Sequence, residues 1–425
     1  MQLFSFFKKE FVKNVFTLIT GAALSQVVIY ASILILTRLF STELFGIYTL
    51  FSSVTLILKP LATMQYEFAI VLPKKDKDAI NLVGFSFIIL TIYCLLLLVI
   101  IFFFNENITT FFNITKLVNL IYLLPLSVFL FGSVSIFDFW NNRTNMFKNI
   151  SIGLITKSAV MSSSQLATGF SSFNSLGLIP GMLLGQSMQL LFLIKASTQL
   201  MQKLTKELSL KRMFFLAKKY KDIPIFNTIF NLTNNLSNEL PVLLITKYFG
   251  LANSGIYGLA IKFTRAPIGI FQQSINQVFF NKASKTHNEE GNLHDLVIKT
   301  VKHLLFISSF LFIPLFAISF FLDIIFGENW SDVGLYSRII IPWLFFAFLS
   351  NPISPLILIL NKQKTMVVYD SFLLLFRFLA LFLGYYFYDN IVISLILFSG
   401  VGMLFNILIF IYLLKTSKEK KIAYS

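Results

Sequence analysis

Long runs of hydrophobic residues, separated by short polar stretches, recur along the whole chain. A membrane-spanning helix needs about 20 mostly apolar residues, and twelve segments meet that condition. They lie near residues 15–37, 47–72, 79–104, 117–140, 152–173, 175–194, 223–246, 254–280, 297–322, 334–360, 366–388 and 391–414. The pattern predicts an all-α integral membrane protein with about 12 transmembrane helices.

The composition agrees with this pattern and excludes several classes of protein. Of the 425 residues, 56% are hydrophobic and 13% are charged, and the mean hydropathy is +0.78. A soluble fold of this size could not bury so much apolar surface, which excludes a cytosolic enzyme, a nucleic-acid-binding protein and a disordered chain. The single cysteine, Cys94, excludes an internal disulfide and a cysteine metal site.

The distribution of basic residues predicts the orientation in the membrane. The net charge is +16, and 26 of the 35 Lys and Arg residues fall in the two terminal segments and the even-numbered connections between spans. The odd-numbered connections hold four. Because cytoplasmic loops collect Lys and Arg, we expect both termini and all even-numbered connections in the cytoplasm.

Five basic residues remain, and all of them lie inside predicted spans, where a charge costs about 2.5–3.5 kcal/mol on insertion scales. They are Lys59, Lys157, Lys262, Arg265 and Arg377. The spans also contain four acidic residues, Glu67, Asp138, Glu239 and Asp370. An intramembrane salt bridge or a snorkelling lysine would explain any one of these charges. The excess of cations in the whole set favours a water-filled passage for anionic cargo.

The chain contains an internal repeat. Residues 35–50 align without a gap with residues 244–259, at an offset of 209 that brings Gly46-Ile-Tyr opposite Gly255-Ile-Tyr. Both copies lie between the first and second spans of a six-helix set, which predicts two six-helix halves around a central cavity. We expect an N-terminal half over 1–198, a cytoplasmic amphipathic linker over 199–222 and a C-terminal half over 223–425.

Small residues within the spans predict where helices pack closely, and aromatic residues predict where the spans meet the membrane surface. Gly177, Gly181 and Gly185 form a stripe of small residues, which typically lets a neighbouring helix pack closely. The three tryptophans lie near predicted span ends, where an aromatic belt is expected at the membrane surface. They are Trp140, Trp330 and Trp343.

Three stretches of the chain carry a family resemblance. Residues 64–73 read Met-Gln-Tyr-Glu-Phe-Ala-Ile-Val-Leu-Pro, a second stretch runs from Gly255-Ile-Tyr through Lys262 to Ser284, and a third runs from Phe326-Gly through Pro342-Trp to Gln363. Together they resemble the polysaccharide transport family of the multidrug/oligosaccharidyl-lipid/polysaccharide exporter superfamily. Two positions depart from the usual family pattern, since Gln65 stands where members have Arg and Lys262 stands where many have Arg.

The resemblance implies a flippase and not an enzyme. Such a protein translocates undecaprenyl-diphosphate-linked oligosaccharide repeat units across the bacterial inner membrane, for O-antigen (lipopolysaccharide) or capsule synthesis. The implied partners are this lipid-linked substrate, membrane lipid, and the polymerase and chain-length proteins of the same pathway, with no nucleic acid. The five intramembrane cations would bind the diphosphate and sugars, because Arg forms bidentate contacts with phosphate and Lys acts as a point charge.

Transport by alternating access needs an energy source, and the sequence contains no Gly-x-x-x-x-Gly-Lys-Ser/Thr nucleotide loop. We therefore expect no cofactor and no metal site, and coupling to a gradient of H⁺ or Na⁺ with the four acidic residues as candidate carriers. Two other functions stay open. They are a multidrug/cation antiporter of the same superfamily, which would normally have an acidic chamber, and a membrane glycan polymerase or ligase, which would normally have a larger external loop.

Overall fold

The computed structural model describes residues 9–112, 114, 118–171, 178–289, 293–360 and 362–418. The described residues are 91% helical and contain no strand. The helices are α1 (Lys9–Leu39), α2 (Thr42–Thr63), α3 (Asp76–Phe111), α4 (Val118–Ile121), α5 (Leu124–Arg143), α6 (Phe147–Gly169), α7 (Leu178–Thr205), α8 (Leu210–Lys219), α9 (Asp222–Glu289), α10 (His294–Ile318), α11 (Leu322–Phe326), α12 (Asp332–Ser350), α13 (Leu356–Ile359), α14 (Gln363–Tyr388) and α15 (Ile391–Thr416). Short 3₁₀ turns lie at Tyr66–Val71, Ser319–Phe321, Glu328–Trp330 and Asn351–Ile353.

The helical segments confirm the membrane fold. In the described part of the chain, nine stretches are long and apolar enough to cross a membrane. The other three predicted spans, 152–173, 223–246 and 254–280, coincide with α6 and with the two parts of α9, which are helical but more polar. The chain is therefore an all-α integral membrane protein with about 12 transmembrane helices.

The outward faces of these helices are apolar, as a lipid environment requires. On α3, Leu95 is 58% exposed, Phe102 is 67% exposed and Phe103 is 71% exposed. A soluble protein rarely exposes so large a contiguous apolar surface, whereas lipid tails are as apolar as these side chains. The exposed face of α3 is thus consistent with contact with the bilayer.

Helix α9 is broken at the position that the internal repeat predicts. Gly250 has φ 84° and ψ 172°, and the helical path is kinked there. The offset of 209 brings Gly250 opposite Ser41, which separates α1 from α2 and caps α2 by accepting a hydrogen bond from Leu44 N at 3.3 Å. Both copies therefore contain a helix break at the same place. Glycine is favoured at the second break because its φ is positive.

The end of α2 differs from the prediction. The predicted span 47–72 includes Glu67, but the helix ends at Thr63 because Met64 (φ 46°) and Gln65 (φ 57°) both adopt the left-handed conformation. Left-handed residues do not continue a right-handed helix. The prediction that a spanning helix carries Glu67 is therefore wrong, because this residue lies on the 3₁₀ turn that follows.

Two compact units divide the chain, one over Met1–Glu239 and one over Leu240–Ser425. In the first, α6 packs against α1 and α7, and α3 packs against α5 and α8; in the second, α15 packs against α12 and α14. The first unit includes the start of α9, which the sequence assigned to the C-terminal half. The predicted division at 198 and 223, and the cavity between the halves, stay predictions.

Close helix packing in the first unit depends on small residues. A Cβ atom at Gly181 would lie 2.5 Å from Gln165 Cγ, and one at Gly185 would lie 2.7 Å from Met161 Cβ. This confirms the packing role of the two glycines in holding α6 against α7. Gly177, the third member of the predicted stripe, lies outside the described residues.

The linker helix α8 lies on α3 with one side buried. Met213, Leu216 and Ala217 are buried, whereas Phe214 and Phe215 on the opposite side are exposed. The helix α8 is amphipathic, and the extent of the linker over 199–222 and its cytoplasmic position stay predictions.

Polar contacts fix α8 at its N-terminal end. The Asn81 side chain on α3 donates to Glu207 O at 2.9 Å and accepts from Ser209 N at 2.9 Å. Arg212 forms a bidentate pair with Asp78, at 2.8 and 3.0 Å. The linker is thereby attached to the first unit.

The three tryptophans do not form an aromatic belt. Trp140 and Trp330 are 1% exposed and Trp343 is 3% exposed. A belt residue would place its ring at the membrane surface, but these rings are enclosed by neighbouring helices. The prediction is wrong because hydropathy gives the ends of a span and not the direction in which a side chain points.

Candidate functional site

Two of the predicted cations of the second unit share one aromatic ring. The Cζ atom of Arg265 on α9 lies 5.1 Å from the centre of the Trp343 ring, and the Cζ atom of Arg377 on α14 lies 4.6 Å from it. Trp343 is on α12, so three helices bring these side chains together. Aromatic faces attract guanidinium groups by about 0.5–2 kcal/mol, with the larger values in desolvated sites.

Arg377 is the most deeply buried of the five cations. It is 3% exposed, and its Cζ atom also lies 5.1 Å from the Phe398 ring on α15. Phe398 and Trp343 meet edge to face, with centroids 5.3 Å apart and an angle of 85°. The guanidinium therefore occupies an aromatic corner, where its charge is kept out of lipid.

Two other predicted residues flank this aromatic corner. Asp370 lies two helical turns before Arg377 on α14 and interacts with it electrostatically. Lys262 lies three residues before Arg265 on α9, which puts the two residues on the same side of that helix. The second unit thus contains three of the five predicted cations and one of the four predicted acids, and two of these cations contact one indole.

A separate group of charges lies in the first unit. Glu67 is 1% exposed, and Ser135 on α5 donates to its Oε1 atom at 3.3 Å. Its other oxygen, Oε2, is buried and has no hydrogen-bond partner in the described part of the chain. Because the turn that carries it lies outside the spanning helices, Glu67 is a buried acid at the end of a membrane span.

Opposing effects act on the ionisation of Glu67. Burial raises the pKa of this carboxyl above its usual range, whereas hydrogen bonding by Thr63 and Ser135 and the positive charge of Lys59 act in the opposite direction. Burial is the largest effect, since a charged carboxylate loses its hydration there. Glu67 therefore takes up a proton more readily than an exposed glutamate.

Asp138 belongs to the same group of charges. It lies three residues after Ser135 on α5, its Oδ1 atom is buried without a hydrogen-bond partner among the described residues, and it interacts electrostatically with Lys59 and Lys157. The Lys157 Nζ atom lies 4.9 Å from the centre of the Phe131 ring. The first unit thus brings together two of the predicted cations and two of the predicted acids.

The fourth acid, Glu239, lies apart from these charges in a row of interhelical hydrogen bonds that we call the polar stripe. Ser53 on α2 donates to Glu239 Oε2 at 2.6 Å, Asn235 donates to Leu56 O at 2.8 Å, and Asn231 donates to Gln65 Oε1 at 3.2 Å. The three α9 residues are spaced four apart and so lie on one face of the helix. The polar stripe holds the start of α9 against α2 and the turn after it.

The arrangement favours two kinds of chemistry. The arginines around Trp343 can bind an anion that offers several oxygen acceptors, and the buried carboxylates of the first unit can accept a proton or a cation. Within the described residues, no group of three or more His, Cys, Asp and Glu side chains could hold a metal ion.

Sequence reasoning found the charges but missed the aromatic residues that organise them. Trp343 and Phe398 were not among the predicted site residues, and neither was Ser135. The signal that could have found Trp343 is its place beside Pro342 in the third family-like stretch.

Residues 35–334 match the family described as "Polysaccharide biosynthesis protein". The chain belongs to this family. No curated protein matches the sequence.

Solved structures with similar folds agree with the family. The lipid II flippase MurJ in an inward closed conformation has a TM-score of 0.71 and 15% identity, over 96% of this chain and 90% of that one. An inward-facing multidrug resistance MATE family transporter of the MOP superfamily has a TM-score of 0.63 and 13% identity, over 96% of each chain. A MATE transporter from Vibrio cholerae has a TM-score of 0.58 and 13% identity, over 98% of each chain. These likenesses show that the chain has the fold of these transporters, and the predicted resemblance to a polysaccharide family is confirmed by the family match.

Proposed function

We propose that this polysaccharide biosynthesis family member is a flippase for undecaprenyl-diphosphate-linked oligosaccharide repeat units. It would move them across the bacterial inner membrane for O-antigen or capsule synthesis, with both of its termini in the cytoplasm. The observation that carries this proposal is the pair Arg265 and Arg377 on the Trp343 ring. Buried cations are costly in a membrane protein and normally mark a substrate pathway, and a diphosphate is an anion that two guanidiniums can bind.

The comparisons support a lipid-linked cargo. The family is one of polysaccharide biosynthesis, and a similar fold belongs to a flippase for lipid II. In the proposed cycle, Arg265, Arg377 and Lys262 bind the diphosphate, Lys59 and Lys157 bind the diphosphate or the sugars, and the lipid tail stays in the bilayer. The polymerase and chain-length proteins of the same pathway would then act on the exported unit.

We assign the coupling ion to the buried carboxylates. Glu67 and Asp138 each have a buried oxygen without a hydrogen-bond partner in the described part of the chain, and both interact with Lys59. Uptake of H⁺ or Na⁺ there would neutralise a carboxylate and change its interaction with Lys59, which couples the ion to the charges that bind cargo. Uptake of an ion by Asp370 would likewise change its interaction with Arg377. Glu239 is the weakest of the four candidates, because its carboxylate already accepts a hydrogen bond from Ser53.

The decisive experiment is transport in liposomes that contain the purified protein and a labelled lipid-linked oligosaccharide. We expect translocation by the wild type and at least a tenfold loss when Lys262, Arg265 and Arg377 are all replaced by alanine. Arg338→Ala is the matched control, because Arg338 also stacks on an aromatic ring, with its Cζ atom 4.4 Å from the Phe320 ring centre, but lies outside the group around Trp343.

Transport that survives the triple substitution would refute the cationic site. In cells, loss of the protein should deplete surface glycan and leave single lipid-linked repeat units on the cytoplasmic face. Accumulation on the outer face would instead indicate a polymerase.

A multidrug/cation antiporter is the second candidate, because the buried acids Glu67 and Asp138 could bind a cation and MATE transporters share the fold. Export of a cationic dye that depends on these two acids, without transport of the lipid-linked oligosaccharide, would favour it.

A further inference from the structure

Trp343 contacts both of the arginines that the proposed function assigns to the diphosphate. Their Cζ atoms lie 5.1 Å and 4.6 Å from its ring centre. A guanidinium is planar and stacks on an aromatic face, which fixes its orientation as well as its position. The ring therefore contacts both Arg265 on α9 and Arg377 on α14.

The ring itself has little freedom to move. A Cβ atom at Gly402 on α15 would lie 2.8 Å from its Cδ1 atom and 2.9 Å from its Cγ atom, so the α15 backbone is very close to the indole. The edge-to-face contact with Phe398 adds a second constraint. Trp343 is consequently a rigid support for the two side chains.

The two guanidiniums carry the same charge, and the positive charge of Arg265 acts unfavourably on Arg377. The negative face of the indole offsets part of this repulsion. An anion with two phosphoryl groups offers one group of oxygen acceptors to each guanidinium and removes the repulsion more completely than a single phosphate can.

We infer that Trp343 is a positioning residue that holds Arg265 and Arg377 together as one receptor for a diphosphate, in preference to a single phosphate group. The inference rests on the proposed function, because it takes the two arginines as the site that binds the cargo.

The test is calorimetric titration of the purified full-length protein in lipid nanodiscs with inorganic pyrophosphate and, separately, with inorganic phosphate at matched ionic strength. For the wild type we expect pyrophosphate to bind at least tenfold more tightly than phosphate. In W343L the affinity for pyrophosphate should fall about tenfold, while the affinity for phosphate changes less. W343F should keep most of the preference, because a phenyl face still attracts guanidinium groups.

A second readout separates positioning from folding. Pyrophosphate should change the tryptophan emission of the wild type but not of W343F, which keeps Trp140 and Trp330. If W343L cannot be purified in folded form, R265K decides the question, because lysine keeps the charge but not the planar stack, and it should lose the preference for pyrophosphate.

The inference is overturned if W343L binds pyrophosphate as tightly as the wild type, if it loses both anions equally, or if R265K keeps the preference. These outcomes are distinct from failure of the proposed function. A protein that binds pyrophosphate through Trp343 but does not move lipid-linked oligosaccharide in liposomes would refute the flippase alone. Loss of transport in the arginine variants, with pyrophosphate binding unchanged in W343L, would refute the role of Trp343 alone.

Discussion

The Asn81 side chain makes two of the hydrogen bonds that attach the linker helix α8 to α3, and its removal should weaken this attachment. The Asn81 amide bonds both to Glu207 O and to Ser209 N, each at 2.9 Å, and it is 1% exposed. Asn81→Ala leaves this carbonyl and this N–H without those partners. At about 1 kcal/mol for each hydrogen bond, the docked state loses about 2 kcal/mol, which shifts the docking equilibrium about 30-fold towards the undocked helix.

Limited trypsin digestion measures this shift. The helix contains four cleavage positions, Lys211, Arg212, Lys218 and Lys219, and cleavage there follows the population of the opened helix when opening and closing are fast. Mass spectrometry of the early fragments should show cleavage in α8 about 30-fold faster in Asn81→Ala than in the wild type. Cleavage elsewhere should be unchanged.

Two comparisons make the prediction specific. Thr91→Val is the matched control, because Thr91 also lies on α3 but donates only within its own helix, to Phe87 O. Asp78→Asn removes the exposed pair with Arg212, which water and salt screen, so it should have a smaller effect that disappears at high salt. The reasoning is refuted if Asn81→Ala behaves like Thr91→Val, or if Asp78→Asn has the larger effect.

Three further predictions concern the sites and the packing. Burial raises the pKa of Glu67, so a proton bound to this carboxyl should be released as the pH rises. Glu67→Gln cannot release such a proton and should flatten the pH dependence of liposome transport. A pH profile identical to that of the wild type would exclude Glu67 as the proton carrier. Gly185→Ala should lower the free energy of unfolding by about 1–3 kcal/mol, because the new Cβ atom would lie 2.7 Å from Lys157 O. Gly269→Ala is the control in the same melting assay, because a Cβ atom there would have no neighbour within 4 Å. Equal melting temperatures of the two variants would contradict the argument. Lys262→Ala alone should reduce transport less than Arg265→Ala alone, since the ring contact is made by Arg265; the opposite order would mean that Lys262 is the main anion contact.

Hydropathy was sufficient to predict the membrane class and the approximate positions of the helices. The division of α9 could be predicted because Gly250 lies between two apolar runs and opposite Ser41 in the repeat. The end of α2 could not be predicted, since Met64 and Gln65 adopt left-handed conformations that their residue types do not favour.

The candidate sites were predictable only in part. A charge inside an apolar run is visible in the sequence, so Arg265, Arg377, Glu67 and Asp138 could be named. Their grouping was not visible, because Arg265 and Arg377 are 112 positions apart and meet only where α9 and α14 both pack near Trp343. Hydropathy placed Trp343 at a membrane surface, whereas its burial and its close packing against Gly402 and Phe398 on α15 place it inside the protein.

The polar stripe can form only after ribosomes have made the start of α9, well after α2. The first unit ends at Glu239, and three of its interhelical hydrogen bonds use Asn231, Asn235 and Glu239. A nascent chain that has just completed the sixth predicted span therefore lacks the partners of Ser53, Leu56 and Gln65. At 5–20 residues per second, the about 40 residues that follow take about 2–8 s to make. During that time the Ser53 hydroxyl, the Leu56 carbonyl and the Gln65 amide lack these hydrogen bonds, so α2 and the turn after it stay incompletely packed until α9 is made.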